Sequence, residues 1–598
     1  MESKVLKKRG EIQDKDKWTV NEIYSCDEEW EREYEELQEE APKLKNFEGK
    51  LGDAKVLEEY FEVNEKTSRK AEKIYVYAHL RSDEDTSNTT YQAMMNKIDA
   101  YMAEYATYTA YVVPEILALP DGTIEKLMNE NKRLEPYKFL LENILKEKPH
   151  VLDKKEEELL AAASDCLDAP SSIHNIMTNA DMKFGNIKDE DGEEVELTEG
   201  NYSSFIKSKD RNVRKAAFER LFGEYKSFEN TLATTLSSSI KVFNFGAKIR
   251  NYNSALEASL KPNDIPTEVY TNAVKTINDN LSSLHRYVKL KKKLLGLEEM
   301  HMYDLYVPVI EVPKERVEFD KAVEMAVEGL NPLGKDYLDI FQGGINGGWI
   351  DKYINKGKRG GAYSWGGYDT KPYVLLNYNY ELNDVSTLVH EMGHSIHSYY
   401  SRKEQSYYYA GYTLFCAEVA STTNEALLIH HLINKETDKK KKLYLINQEL
   451  EQIRTTVFRQ LMFAEFELYT HESFEKGLPL TAQDYNAKWH ELNVKYFGPD
   501  MVVDSDIDVE WSRIPHFYSD FYVYQYATGY AAASAFANSI LNGEKDAVEK
   551  YIGFLKSGGS DYPIEILKKA GVDMTTSKPL EATINRFNEL LDMLEKEI

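Results

Sequence analysis

His390-Glu391-Met392-Gly393-His394 is the stretch on which the reading of this chain turns. It lies within residues 385–400, which the residue pattern predicts as helix. Val385, Leu388, Val389, Met392 and Ile396 supply an apolar flank at three- and four-residue spacing. Asn383 or Asp384 offers a short acceptor for an orphan backbone N–H at the helix start. Residues four apart on a helix lie about 40° apart in projection and about 6 Å apart along the axis. His390 and His394 therefore direct two imidazoles at one point, which is half of a tetrahedral zinc site. Glu391 projects about 60° to one side of His394. It is poorly placed to ligate and well placed to reach a water on the metal.

A third ligand decides the matter. His397 shares the face of His390 but lies about 10 Å further along the axis, too far for bonds of about 2 Å. A third histidine six residues past the second would need His where Tyr400 stands. Glu418 is the remaining candidate, in Phe415-Cys416-Ala417-Glu418-Val419-Ala420-Ser421, far enough along for a loop and a second helix packed on the first. Two histidines and a glutamate leave one coordination position open, the catalytic rather than the structural arrangement. Glu425 lies two turns further on the same face. It is either an acceptor that orients a ligand imidazole or a solvent-facing carboxylate.

Composition narrows the class. The chain has 598 residues, more than one ordinary core holds, so two or more lobes are expected. Its 101 acidic and 74 basic residues give a net charge of −27, which argues against nucleic-acid and anionic-membrane partners. Cys26, Cys166 and Cys416 are too few for a disulfide framework and suit a reducing compartment; Cys416 reads as a small core residue. Residues 1–17 are charged, without the apolar core of a secretory signal, and no run approaches a membrane span. Residues 527–541 are apolar but short, a buried helix. A cytoplasmic protein is expected.

From residue 18 to 172 the sequence predicts helix nearly throughout. Ser25 with Glu28 forms a capping box, and Pro114, Pro120, Pro136, Pro149 and Pro170 fall between helical blocks. Asp191-Gly192, between Lys183-Phe184 and Val195-Glu196-Leu197, is a hairpin turn and the expected lobe boundary. The chain divides on this reading into a helical N-terminal lobe, 1–200, and a catalytic domain, 201–598. Helices resume after residue 202, with 266–294 as one of them. Residues 343–367 are dense in glycine and carry Lys356, Lys358 and Arg359. They match neither phosphate-loop pattern, and the better reading is a mobile loop beside a cleft. Residues 372–378 then form a strand leading to the metal helix. As an edge strand it is able to bind an extended peptide; otherwise it is structural.

Several segments together resemble oligoendopeptidase F, in the thimet-oligopeptidase family of metallopeptidases. They are Lys358-Arg359-Gly360-Gly361-Ala362-Tyr363-Ser364-Trp365, Leu375-Leu376-Asn377-Tyr378-Asn379, the His390–His394 motif, the stretch from Phe415 to Glu425, and Ile514-Pro515-His516-Phe517-Tyr518 with the aromatic run from Phe521 to Tyr530. The resemblance implies a mainly α, two-lobed enzyme with a deep substrate channel and a small β element beside the zinc helix. It implies one zinc ion per chain on His390, His394 and Glu418, and Glu391 as general base. It also implies that His516 binds substrate and its oxyanion with Tyr522 and Tyr524, matched by alignment of the aromatic run, the choice among Tyr522, Tyr524 and Tyr526 staying open. The expected reaction is hydrolysis of internal bonds in short unstructured peptides. Two alternatives stand beside it: an aminopeptidase with the same ligands, for which no GxMEN-like segment is present, and a non-catalytic peptide-binding helical scaffold.

Overall fold

A computed structural model describes residues 6–310 and 315–597. The chain is mostly helical, with three small sheets, as the mainly α expectation required. It forms two compact units, each built from three separate segments. The first comprises Met1–Lys148, Lys314–His431 and Phe536–Gly571; the second comprises Pro149–Pro313, Leu432–Ala535 and Val572–Ile598. The division expected at residue 200 is therefore not where compactness divides the chain. The hairpin expected at the boundary lies inside the second unit, because helices there find their packing partners far away in sequence.

In the first unit the 31-residue helix Ala54–Glu84 is started by Asp53, whose carboxylate accepts the N–H groups of Lys55 and Val56. The helices Asp27–Glu40 and Thr89–Thr109 pack on it around Trp30, Tyr34, Leu57, Ile74, Ile98 and Tyr101, all buried. The cap of Asp27–Glu40 is one residue off the expectation: Cys26 is the N-cap, and Glu29 rather than Glu28 accepts from the Ser25 N–H at 2.8 Å. Tyr373 and Leu375 belong to the same core.

Those two residues sit in a three-stranded sheet. Strand Tyr373–Leu375 is its centre, parallel to Ile350–Asp351 and antiparallel to Tyr363–Trp365. Of the two readings of this strand, the structural one holds: it is a middle strand, buried on every residue and paired on both sides. The glycine-rich region around the sheet is pinned rather than loose. Added Cβ atoms would meet the Thr19 side chain at Gly348 (2.3 Å), Asp85 at Gly357 (2.1 Å) and Glu72 at Gly367 (2.9 Å), so glycine here permits close approach. Lys358 is not available to a phosphate. Its side chain is 0% exposed, and its Nζ lies 2.7 Å from Asp351 Oδ1 and donates to the carbonyls of Tyr353 and Leu376.

The second unit contains the hairpin, Asn186–Lys188 paired antiparallel with Glu194–Glu196 in the register Ile187↔Val195. The expected helix over 266–294 is two helices, Thr267–Asp279 and Leu281–Leu294, broken at Asn280, whose side-chain amide donates to the Thr276 carbonyl at 2.8 Å. This unit also buries charge. Glu451 accepts from Lys291 at 2.7 Å and from Arg454 at 2.6 and 3.0 Å. Among the described residues no helix is long and apolar enough to cross a membrane.

Candidate metal centre

The histidine-bearing helix runs Leu382–Glu404, longer at both ends than expected. Glu381 is the N-cap position, and Asp384 secures the start from within: its Oδ2 accepts the N–H of Glu381 at 2.9 Å and of Asn379 at 2.8 Å. Val385, Leu388, Val389, Met392 and Ile396 are buried as the apolar flank predicts.

The glutamate-bearing helix, Leu414–Lys435, packs directly on it. Gly393 makes the approach possible. A Cβ there would stand 2.6 Å from the Ser421 Cα and 2.9 Å from its backbone nitrogen. Asn424 then ties the pair together, donating to the Val389 carbonyl at 3.0 Å while the Tyr337 hydroxyl donates to its Oδ1 at 2.8 Å. Neither role was read from the sequence. The available signal was a glycine inside a helix, which costs about 1 kcal/mol against alanine and so calls for a packing reason.

This crossing brings His390, His394 and Glu418 together, as the spacing argument required. His390 Nε2 and His394 Nε2 lie 3.2 Å apart. Glu418 Oε2 lies 3.5 Å from the first and 3.6 Å from the second. A tetrahedral ion with bonds of about 2.1 Å holds its donors roughly 3.4 Å apart. The donor set thus fits a zinc ion in both spacing and chemistry. The next layer out is in place as well. Glu425 Oε2 lies 3.2 Å from His390 Nδ1, and Ser386 Oγ donates to Glu425 Oε1 at 3.1 Å. Of the two readings of Glu425, the orienting carboxylate is the one the geometry matches. Ser421 Oγ donates to Glu418 Oε2 at 3.2 Å.

The electrostatics favour positive charge at this point. Burial works against protonation of His390, yet the hydrogen bond and charge of Glu425, with Glu391 and Glu418 beyond, push it up to about 9. Glu418 is held down at about 2, first by its hydrogen bond with His394. A bound dication replaces that proton charge. Glu391 is 7% exposed, and burial raises its carboxyl above the ordinary range while the two histidines oppose the rise. His397 is no ligand: it is buried, lies parallel to Tyr412 with ring centroids 3.8 Å apart, and is pushed down by burial to about 3. Cys416 is buried, the expected small core residue.

The remaining predicted site residues belong to the second unit. His516 is exposed there, with its ring 6.1 Å from Tyr522 and 5.9 Å from Tyr526, whose hydroxyl lies 3.4 Å from His516 Nε2. Tyr524 does not join this cluster. It is 1% exposed, its ring centroid is 5.0 Å from Tyr270, and burial raises its hydroxyl well above the ordinary value. Tyr522 precedes the helix Tyr524–Leu541 and its ring lies 5.4 Å from that of Tyr526, whereas Tyr524, the first residue of the helix, turns its ring to Tyr270.

A helical fold holding a His-Glu-x-x-His pair beside a glutamate from a second helix defines a metallopeptidase. Comparison with known proteins agrees. The profile of Peptidase family M3 matches residues 204–586, and that of Oligopeptidase F matches residues 115–184. The chain is 48% identical to Oligopeptidase PepF of Bacillus subtilis, over 99% of this chain and 88% of that one. It is 42% identical to the Group B oligopeptidase PepB of Streptococcus agalactiae, over 98% of both. The crystal structure of oligoendopeptidase-F from Enterococcus faecium is 40% identical, with a TM-score of 0.74 over 96% of this chain and 99% of that one. The chain belongs to peptidase family M3, in the oligopeptidase F group.

Proposed function

We propose that the enzyme hydrolyses internal peptide bonds of short, unstructured oligopeptides, with one zinc ion held by His390, His394 and Glu418. The observation that carries this reading is the spacing of those three donors at 3.2, 3.5 and 3.6 Å. Zinc supplies Lewis acidity, which acidifies water and polarises a carbonyl oxygen.

The chain's own residues do the rest. Glu391 takes a proton from the attacking water and returns it to the leaving nitrogen. Its burial supports this, since a carboxyl raised towards working pH serves as base and then as acid. Glu425 fixes the His390 ring through Nδ1, so that Nε2 faces His394 Nε2 and Glu418, where it would help hold the ion. His516 with Tyr522 or Tyr526 donates hydrogen bonds to the developing oxyanion. Tyr524 is set aside for this role because of its burial. Short, flexible substrates follow from the oligopeptidase names of the relatives and from the resemblance in the motifs.

An N-terminally blocked, internally quenched peptide tests the reading. Cleavage at an internal bond is expected, and an intact folded protein is expected to survive the same treatment. Trimming of free-amine peptides only, with the blocked peptide untouched, would transfer the site to an aminopeptidase.

A further inference from the structure

We propose that Glu467 and His471 are positioning residues that hold Asp520 and Phe521 and so keep His516 and Tyr522 side by side. This rests on the reading of His516 and Tyr522 as substrate-binding groups. Both positioning residues lie on the helix Arg459–Glu475, and all six residues belong to the second unit.

The segment between His516 and Tyr522 has an unusual backbone. Phe521 adopts φ +57°, in the left-handed region that a bulky residue rarely enters. Such a conformation persists only where the surroundings over-determine it, and it concentrates at functional sites. Here the surroundings do so on three sides. The Phe521 N–H donates to the buried Glu467 Oε1 at 2.7 Å. The Phe521 ring is buried, 4.6 Å from the His471 ring and 5.5 Å from Tyr270. Asp520 Oδ1 lies 3.1 Å from His471 Nε2, and Ser259 Oγ donates to the Asp520 carbonyl.

The proton arrangement of His471 is set by its other neighbour. Asn244 donates one amide hydrogen to the Ile240 carbonyl at 2.8 Å and the other to His471 Nδ1 at 3.0 Å. An accepting Nδ1 leaves the hydrogen on Nε2, the ring nitrogen that lies 3.1 Å from Asp520 Oδ1. Burial raises the Glu467 carboxyl well above its ordinary range. Glutamine keeps a carbonyl oxygen to accept the Phe521 N–H, which supplies the control.

Two short hydrogen bonds carry the anchor to its ends. The Ser519 N–H donates to the His516 carbonyl at 2.9 Å, and the Tyr522 N–H donates to the Ser519 carbonyl at 3.1 Å. Fixing Asp520 and Phe521 therefore fixes the separation of the His516 and Tyr522 rings. Glutamate and histidine are otherwise unexpected choices for a buried helix face, where an aliphatic pair would pack without needing partners.

The test compares Glu467→Ala, Glu467→Gln and His471→Phe in the zinc-loaded, full-length enzyme. The readouts are hydrogen exchange of residues 516–524, metal content, kcat and KM. In the alanine variant, exchange in that segment is expected to quicken about tenfold and kcat to fall about tenfold, with metal content and KM little changed. Glu467→Gln is expected to restore kcat. His471→Phe keeps the ring contact and loses Asp520; it is expected to give a smaller change in the same direction, and it replaces the alanine variant should that fail to fold. Faster exchange with unchanged kcat would overturn the positioning role, as would a lowered melting temperature alone. His516→Ala and Tyr522→Phe separate the levels. If both leave kcat intact, the underlying reading of the site fails; if either lowers it while Glu467→Ala does not, only the positioning role fails.

Discussion

Glu391 is placed differently from the histidines on either side of it. They present nitrogen to one point, and its carboxyl is offset along the helix, buried, and raised above the ordinary range. Glu391→Gln keeps the size and removes the proposed base, so turnover is expected to fall at least about 10²-fold with zinc content unchanged by metal analysis. Near-normal turnover would remove Glu391 from the base role. Glu425 acts one layer further out. Glu425→Ala frees His390 Nδ1, and zinc affinity measured against a competing chelator is expected to drop about 10- to 100-fold. An unchanged affinity would mean that the 3.2 Å contact orients nothing. At this scale the sequence was most legible for the clustering of the donor groups, because helical spacing alone aligns His390 with His394. It was least legible for the tyrosines. Tyr522, Tyr524 and Tyr526 are chemically identical in a chain with 42 tyrosines, and only packing distinguishes the buried one.

The crossing of the two ligand helices decides where Glu418 stands, and Gly393 decides the crossing. Gly393→Ala would place a methyl 2.6 Å from the Ser421 Cα, against backbone that has no rotamer to yield. Overpacking of this kind typically costs about 1–3 kcal/mol. The variant is expected to melt earlier and to bind zinc more weakly, because Glu418 moves away from the imidazoles. Wild-type stability with full zinc affinity would show that the helices have room to separate without consequence. The existence of both helices was legible from periodicity and spacing; their distance was not, since a one-dimensional pattern does not say which glycine faces a neighbour. The strand Tyr373–Leu375 makes the same point. Its apolar run correctly predicted a strand, but a centre strand and a buried edge strand read alike. Lys358 appeared beside glycines like a phosphate ligand, and its real partner, Asp351, was identifiable only once the sheet was built.

At the scale of the whole molecule, compact units made of three segments each could not be read from the sequence, because their segments meet only through packing between parts of the chain far apart in sequence. The buried charges of the second unit set an expectation for stability there. Burial alone would raise the Glu451 carboxyl, but Arg454 and Lys291 outweigh it and hold its pKa below the ordinary carboxylate range. A depressed folded pKa means that its stabilisation is fully present above the unfolded value of about 4.3. It is lost as pH falls from there towards the folded value. Glu451→Gln leaves two buried cations without their anion and is expected to cost about 3–5 kcal/mol at neutral pH. The gap in melting temperature between variant and wild type is expected to narrow below about pH 4; a gap that stays constant with pH would contradict the charge argument.

On the proposed reading, peptide hydrolysis needs one divalent ion gripped by His390, His394 and Glu418. Metal content and cleavage of a quenched peptide, measured on the same sample before chelation, after chelation and after zinc is returned, test it most directly. One zinc per chain, activity lost with the metal and regained with it, and no regain in a Glu418→Ala variant are the predicted results. Hydrolysis that persists in the metal-free chain, or full zinc occupancy without Glu418, would contradict the account.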